Sequence, residues 1–227
     1  MSPAVTVHRI GDEGEPVAVI ETFAPDPKAL RAAASAARFD AAGEHYPGIR
    51  AALPPDYLPA VRGVLSQVFR DVFGVRERVS VIDARFSIVT RAPGALTLEQ
   101  RIPHVDAIEP GRLALVHFLG EGAASDTGGT AFYRHRSTGF ETIDEPRSAA
   151  YFAALNADLA RHGPPPPAYL AGSTPLFERI AGFEGRFNRA LVYRGRLLHS
   201  GDITPASALS ADPALGRLTV TGFFAAR

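Results

Sequence analysis

A histidine and an aspartate stand two positions apart in the run "PHVDAI", which begins at Pro103. In a β-strand, the side chains at positions i and i+2 point to the same face. We therefore expect His104 and Asp106 to share a face and Val105 to point to the other. A buried carboxylate without a partner is costly, so the spacing predicts that this pair meets a charged group or a metal ion.

A third metal ligand is expected from a distant strand, because one strand cannot surround an ion. The best candidate is His199, in the run "RLLHSG". Two histidines and one carboxylate on one side of an octahedral metal form the facial triad of non-haem Fe(II) oxygenases, which leaves three positions open. A co-substrate can take two of these positions and dioxygen the third.

Arg217 follows His199 by eighteen residues, in the run "GRLTVTGFF". A strand arginine that points into a barrel needs an anionic partner. A dicarboxylate whose keto acid end chelates the metal would supply one, since its far carboxylate can form a two-pronged bond with the guanidinium. Thr219 lies two residues further on and on the same face, where its hydroxyl is expected to add a donor.

The strands that would carry these residues begin near residue 79. Short runs rich in Val, Leu, Thr and aromatic residues, bounded by Gly or Pro, predict strands in "RVSVIDARFSIVTR", "RLALVHFLG", "GTAFYRH", "NRALVYRG", "RLLHSG" and "GRLTVTGFFA". Such a series favours a sandwich or a jelly roll. A helical run, "RSAAYFAALNADLARH", a proline tract and "STPLFERIAGF" interrupt it, and we interpret residues 140–186 as an insertion that flanks one mouth of the β domain.

The first third of the chain combines a strand-like start with two helices. In "APDPKALRAAASAARFD", Asp26 is the expected N-cap and Pro27 the first helical residue. The run "DYLPAVRGVLSQVFRDVFG" repeats apolar residues at helical spacing and stops at Gly74, and "EHYPGIRAALPPDY" between the two helices is interpreted as a loop. We predict one domain over residues 1–227, mainly β with flanking helices (α+β), in which residues 1–78 support a jelly-roll core of residues 79–227.

The ordered set H-x-D, "TGGTAF", "NRALVYRGRLLHSG" and "GRLTVTGFF" resembles the 2-oxoglutarate/Fe(II) dioxygenases, particularly their prolyl-4-hydroxylase-like branch. Within that branch, the phrases "YPGIR", "FYRHRSTGFE" and "LHSG" resemble an uncharacterised bacterial family. The resemblance implies a double-stranded β-helix, a cupin-like jelly roll, that holds iron through His104, Asp106 and His199. It also implies that 2-oxoglutarate is held by Arg217, assisted by Thr219. The stretch of about 70 residues between the "GG" of "TGGTAF" and His199 is longer than expected for the branch, so substrate specificity does not follow.

Further candidates come from the same motifs. Tyr133 and Tyr193 are candidates for contacts with 2-oxoglutarate or substrate, as tyrosines often make them in this superfamily, and a structural role is the alternative. Arg134 and His135, in "FYRHRSTGF", could receive an anionic substrate group or form a solvated strand end.

Two more candidates lie in the "YPGIR" segment, where Tyr46 and Arg50 are expected to border the pocket. By contrast, His117, within the apolar run "LVHFLG", is predicted to be a core histidine whose hydrogen bonds are satisfied, rather than a spare ligand.

Composition restricts the class of protein. The 227 residues are 46% hydrophobic and 21% charged, and 24 Lys and Arg balance 24 Asp and Glu. This indicates a globular protein without a global field for nucleic acid or membrane, and leaves a homodimer open. The absence of cysteine excludes disulfides and thiolate chemistry. The N-terminal run, interrupted by charge and proline, is not typical of a signal peptide, so we predict a cytoplasmic protein.

Together these features predict an Fe(II)- and 2-oxoglutarate-dependent oxygenase that uses dioxygen, most simply a hydroxylase of a small-molecule, amino-acid or peptide substrate. The alternatives are a non-catalytic cupin-like binding protein or pseudoenzyme, and another metal-dependent enzyme such as an isomerase. The Asp106 carboxylate argues against a halogenase, and the lack of a nucleophile elbow argues against a serine hydrolase.

Overall fold

The fold is built from two antiparallel sheets, seen in a computed structural model that describes residues 2–43, 45–121, 128–204 and 209–226. In chain order, the strands are β1 (Ala4–Ile10), β2 (Glu15–Glu21), β3 (Asp40–Ala41), β4 (Gly48–Ala52), β5 (Val79–Val89), β6 (Arg112–Phe118), β7 (Gly129–His135), β8 (Phe177–Glu184), β9 (Ala190–Arg194), β10 (His199–Asp202) and β11 (Leu218–Ala226). The major sheet has the order β1-β2-β9-β6-β11-β5-β4-β3, and the minor sheet has the order β10-β7-β8. Apolar residues of both sheets, among them Leu191 and Phe132, pack into one cluster. This arrangement is the predicted jelly roll.

The helices cover the outer faces of the two sheets. They are α1 (Pro27–Ala36), α2 (Tyr57–Asp71) and α3 (Glu145–His162). Asp26 caps α1 as predicted, because its side chain accepts a hydrogen bond from the Ala29 N–H at 2.9 Å. Leu30 of α1 and Leu65 of α2 pack against major-sheet residues such as Phe86, whereas α3 packs against the minor sheet. None of the helices in the described residues is both long and apolar enough to cross a membrane.

Three boundaries differ from the prediction. Residues 1–78 were predicted to be a helical support outside the jelly-roll core, but they contribute β1, β2, β3 and β4 to the major sheet. Residues 177–184 were assigned to the insertion, but they form β8, which pairs with β7 in the minor sheet. A short apolar run fits a strand or a helix equally well. Here hydrogen bonding to the edge of β7 makes it a strand. The "YPGIR" segment was predicted as a loop, but Gly48–Ala52 forms β4 and pairs with β5. Pro47 directly precedes that strand, so its missing N–H removes no hydrogen bond from the ladder.

Candidate metal centre

His104 and His199 lie opposite each other in a single antiparallel bridge. The His104 N–H donates to the His199 carbonyl at 2.9 Å, and the His199 N–H donates back to the His104 carbonyl at 2.9 Å. The predicted strand around His104 is limited to this bridge, because the backbone bends afterwards and the Asp106 N–H donates to the Gly195 carbonyl at 2.7 Å. The side chains of His104 and Asp106 nevertheless point the same way, as expected.

The three predicted ligands converge. One ligand atom each from His104, Asp106 and His199 lies within 4.8 Å of the other two. The Nε2 atom of His199 is 3.5 Å from Asp106 Oδ2, and the Nε2 atom of His104 is 3.9 Å from Asp106 Oδ1. Two metal–ligand bonds of about 2.1 Å can span at most about 4.2 Å. Both separations are therefore short enough for the two atoms to bind one ion.

The protonation states of the three residues suit a metal. The Nδ1 atom of His199 lies 2.8 Å from the Leu197 carbonyl, which can only accept, so Nδ1 carries the hydrogen and Nε2 offers its lone pair. Burial lowers the pKa of His199 to about 4. The pKa of His104, whose side chain is 53% exposed, is lowered as well, by partial loss of solvation and by the nearby His199 ring. Burial raises the pKa of Asp106 to about 6, against the opposing effects of His104 and Arg50. At neutral pH the site holds two neutral imidazoles and one carboxylate, which are the forms that bind metals.

The three residues line a cavity of about 1160 Å³ that Arg217 also lines. Arg217 is only 6% exposed, and its NH2 group donates to the Gly129 carbonyl at 2.7 Å. Its buried Nε has no hydrogen-bond partner, and among the described residues no carboxylate forms an ion pair with it. Burial lowers the pKa of this guanidinium. A buried cation with an unmet donor fits an anionic ligand such as a dicarboxylate.

The other two cofactor candidates differ in their position. Tyr193 lines the cavity and its ring centroid is 4.8 Å from that of His199. Burial, followed by the nearby Asp106 carboxylate, raises the pKa of Tyr193 well above its ordinary value. Thr219 is completely buried, and its hydroxyl donates to the Ser87 carbonyl at 3.2 Å. Contacts of either residue with 2-oxoglutarate stay a prediction.

The substrate candidates separate into two groups. Tyr46 and Arg50 line the cavity, as expected. The three candidates on β7 do not line the cavity, and their side chains contact other parts of the chain instead. Tyr133 belongs to the apolar cluster under α3, and Arg134 is paired with the buried Glu141. The Nε2 atom of the buried His135 is 3.2 Å from Asp158 of α3.

The sequence reasoning missed Tyr169, which lines the cavity from the segment that follows α3. Its hydroxyl donates to the Arg91 carbonyl at 2.7 Å. The insertion therefore flanks the cavity. The signal that could have pointed to Tyr169 is an aromatic residue two positions after the proline tract. His117 is a core histidine as predicted, since its ring nitrogens each lie 3.1 Å from a partner, Tyr57 on one side and Asn188 on the other.

Solved structures with a similar fold include the following three proteins. HygX from Streptomyces hygroscopicus, solved with nickel, 2-oxoglutarate and hygromycin B, is 11% identical, with a TM-score of 0.50 over 92% of this chain and 82% of HygX. SnoK, a non-haem alpha-ketoglutarate-dependent carbocyclase from nogalamycin biosynthesis, is 12% identical, with a TM-score of 0.50 over 93% of this chain and 79% of SnoK. A Pseudomonas putida prolyl-4-hydroxylase is 15% identical, with a TM-score of 0.49 over 95% of both chains. At these identities the likeness to HygX and SnoK concerns the fold alone, and the jelly-roll fold implied by the motifs is confirmed.

Comparison at the level of sequence gives a second finding. No curated protein sequence matches the chain at a significant level. A family model, however, matches residues 1–224, which is nearly the whole chain, and its description is a family of unknown function, DUF6445. The chain therefore belongs to the DUF6445 family.

Proposed function

We propose that this protein is an Fe(II)- and 2-oxoglutarate-dependent oxygenase, most simply a hydroxylase of a small-molecule, amino-acid or peptide substrate. The observation that carries the proposal is the convergence of His104, Asp106 and His199 in a cavity that Arg217 also lines. Within the described parts of the chain, no carboxylate forms an ion pair with this buried guanidinium. The ligand set is that of the facial triad, and the guanidinium supplies the charge that a dicarboxylate co-substrate needs.

Each of these residues has a defined task. His104, Asp106 and His199 would hold the metal, and the Leu197 carbonyl keeps the Nε2 atom of His199 free of a proton. Arg217 would bind the far carboxylate of 2-oxoglutarate and so fix the direction in which this co-substrate lies. When bound, iron and 2-oxoglutarate supply the oxidising chemistry with dioxygen, and the protein contributes position and a shielded site.

The inner wall of the cavity is apolar where it supports the metal ligands. The ring centroids of Tyr193 and Phe132 are 5.1 Å apart, and both rings lie against His199. Both residues are almost completely buried. Their packing restricts the rotation of the imidazole and excludes water from its far side, so that the ligand meets the metal in one orientation.

The test uses protein kept under anaerobic conditions and supplied with Fe(II) and 2-oxoglutarate. We expect a weak visible charge-transfer band from the chelated keto acid, and His199→Ala should abolish it. His45→Ala is the matched control, because His45 also lines the cavity but is not part of the triad, so the band should persist. A band that survives in His199→Ala, or no band in the wild type, would contradict the proposal. Release of succinate under oxygen then separates an oxygenase from a non-catalytic binding protein.

A further inference from the structure

Arg50 is one of three arginines that line the cavity, with Arg91 and Arg217, and the described residues neutralise it poorly. It lies on β4 with its side chain 21% exposed, and it lines the same cavity as the triad. Its Nε atom is buried without a hydrogen-bond partner, and its guanidinium stacks over the Tyr46 ring at 4.7 Å. Its NH1 group is 3.5 Å from Asp83 Oδ2, which is longer than the about 2.8 Å of a charge-assisted hydrogen bond.

Asp83 is also shared with a second arginine. The Nε atom of Arg85 donates to Asp83 Oδ1 at 3.0 Å, which is closer than the approach of Arg50. One carboxylate thus faces two guanidinium groups. The Arg85 side chain is 51% exposed and keeps its water, whereas Arg50 is largely removed from solvent. The uncompensated positive charge therefore falls on Arg50, at the cavity wall.

A metal centre that holds its ion and its co-substrate would not neutralise the positive charge of Arg50. A divalent ion, a dianionic co-substrate, the Asp106 carboxylate and the Arg217 guanidinium cancel one another. Glu99 and Arg91, which also line the cavity, cancel as well, and this leaves Arg50 in excess. Arg50 is near enough to Asp106 for its charge to stabilise that carboxylate. Since both residues line the same cavity, an anion bound by Arg50 would lie close to the metal site.

We propose that Arg50 binds a carboxylate of the primary substrate, so that the substrate class is a molecule with a free carboxyl group. The planar guanidinium matches the two oxygens of a carboxylate, and the Tyr46 ring holds it in one plane. This inference rests on the proposed function, because it assigns the second organic ligand of the same site. The residue acts in substrate recognition and leaves metal and co-substrate to the triad and Arg217.

The test measures ligand binding to protein loaded with Ni(II) and 2-oxoglutarate. The probes are small carboxylic acids and N-acetyl amino acids, each compared with its own primary amide, together with phosphate monoesters. In the wild type, we expect at least one acid to bind tenfold or more tightly than its amide. Arg50→Gln should remove that preference, and Arg50→Lys should restore part of it. Arg147→Gln is the matched control and should bind like the wild type, because Arg147 is a partly exposed arginine that also lies over an aromatic ring, that of Phe140, but does not line the cavity.

Three results of the probe titrations would overturn the inference. These are a wild type that binds no acid better than its amide, an Arg50→Gln variant with the preference of the wild type, and a preference for phosphate monoesters over carboxylates. Binding of 2-oxoglutarate is measured separately in each variant. A loss of 2-oxoglutarate in Arg50→Gln would place Arg50 in the co-substrate site and also overturn the inference. A wild type that never binds 2-oxoglutarate would instead contradict the proposed function.

Discussion

Replacing Arg217 with methionine should separate the stability of the protein from its affinity for 2-oxoglutarate. The substitution removes one hydrogen bond, to the Gly129 carbonyl, which contributes about 1 kcal/mol net. It also removes a nearly buried charge whose desolvation costs several kcal/mol. A methionine can keep the apolar contact with the Phe118 ring, over which the guanidinium lies at 5.5 Å. We therefore expect the free energy of unfolding without ligand to be unchanged or to rise by about 1–3 kcal/mol.

The affinity for 2-oxoglutarate should change in the opposite direction. Loss of one partner of a buried charge pair costs about 2–5 kcal/mol, so Kd should increase about 30-fold or more. Affinity for Ni(II) alone should stay within a few-fold of the wild type, because Arg217 is not a metal ligand. The measurements are thermal unfolding without ligand and calorimetric titration with Ni(II) and then with 2-oxoglutarate.

Arg189→Met provides a matched control. Arg189 is 9% exposed, but its Nε donates to Glu21 at 2.9 Å and its NH1 to the Glu184 carbonyl at 3.0 Å. Since this arginine is paired, we expect its loss to lower the Tm and to leave 2-oxoglutarate affinity unchanged. A marked fall in the Tm of Arg217→Met, or equal losses of metal and 2-oxoglutarate affinity, would refute the reasoning about Arg217.

Two further predictions concern the metal site and the backbone. Because the pKa of Asp106 is raised to about 6 and that of His199 is lowered to about 4, Ni(II) affinity should be constant above pH 6. It should fall about tenfold per unit below pH 6, as protons compete for the carboxylate; a fall that begins only near pH 4 in calorimetry would contradict this. Gly11 and Gly14 have φ values of 63° and 64°, but only at Gly11 would a Cβ collide with Glu141. Gly14→Ala should therefore cost about 1–2 kcal/mol in denaturant unfolding and Gly11→Ala clearly more, and equal losses would exclude the collision.

The residues proposed as metal ligands could be identified from the sequence because their types, order and strand context restrict the chemistry. His104 and Asp106 followed from the alternation of side chains along a strand. His199 followed from the need for a third ligand on a distant strand, and Arg217 from the charge of a diacid. The backbone between His104 and Asp106 did not follow, because a single bridge and a full strand orient side chains in the same way. The residues of the site were thus more predictable than the local secondary structure.

The substrate side of the cavity was less predictable, because it depends on which distant segments meet. Arg134 and His135 carry suitable chemistry, but Glu141, seven residues after Arg134, and Asp158 of α3 engage them. Neither pairing follows from the alternation of side chains along β7. Tyr169 was missed because its place at the cavity depends on a contact with Arg91, which is 78 positions away in the sequence. Local sequence patterns indicate the chemistry that a side chain can perform, whereas tertiary contacts determine which groups lie next to it.

The reciprocal backbone bonds between His104 and His199 have a consequence for metal loading. Each residue fixes the main chain of the other, so two of the three donors are already preorganised when the polypeptide has folded. Little conformational entropy then remains to be lost on coordination. Folding can precede loading, and a chelator should strip the ion and leave an intact scaffold, ready to exchange one divalent cation for another.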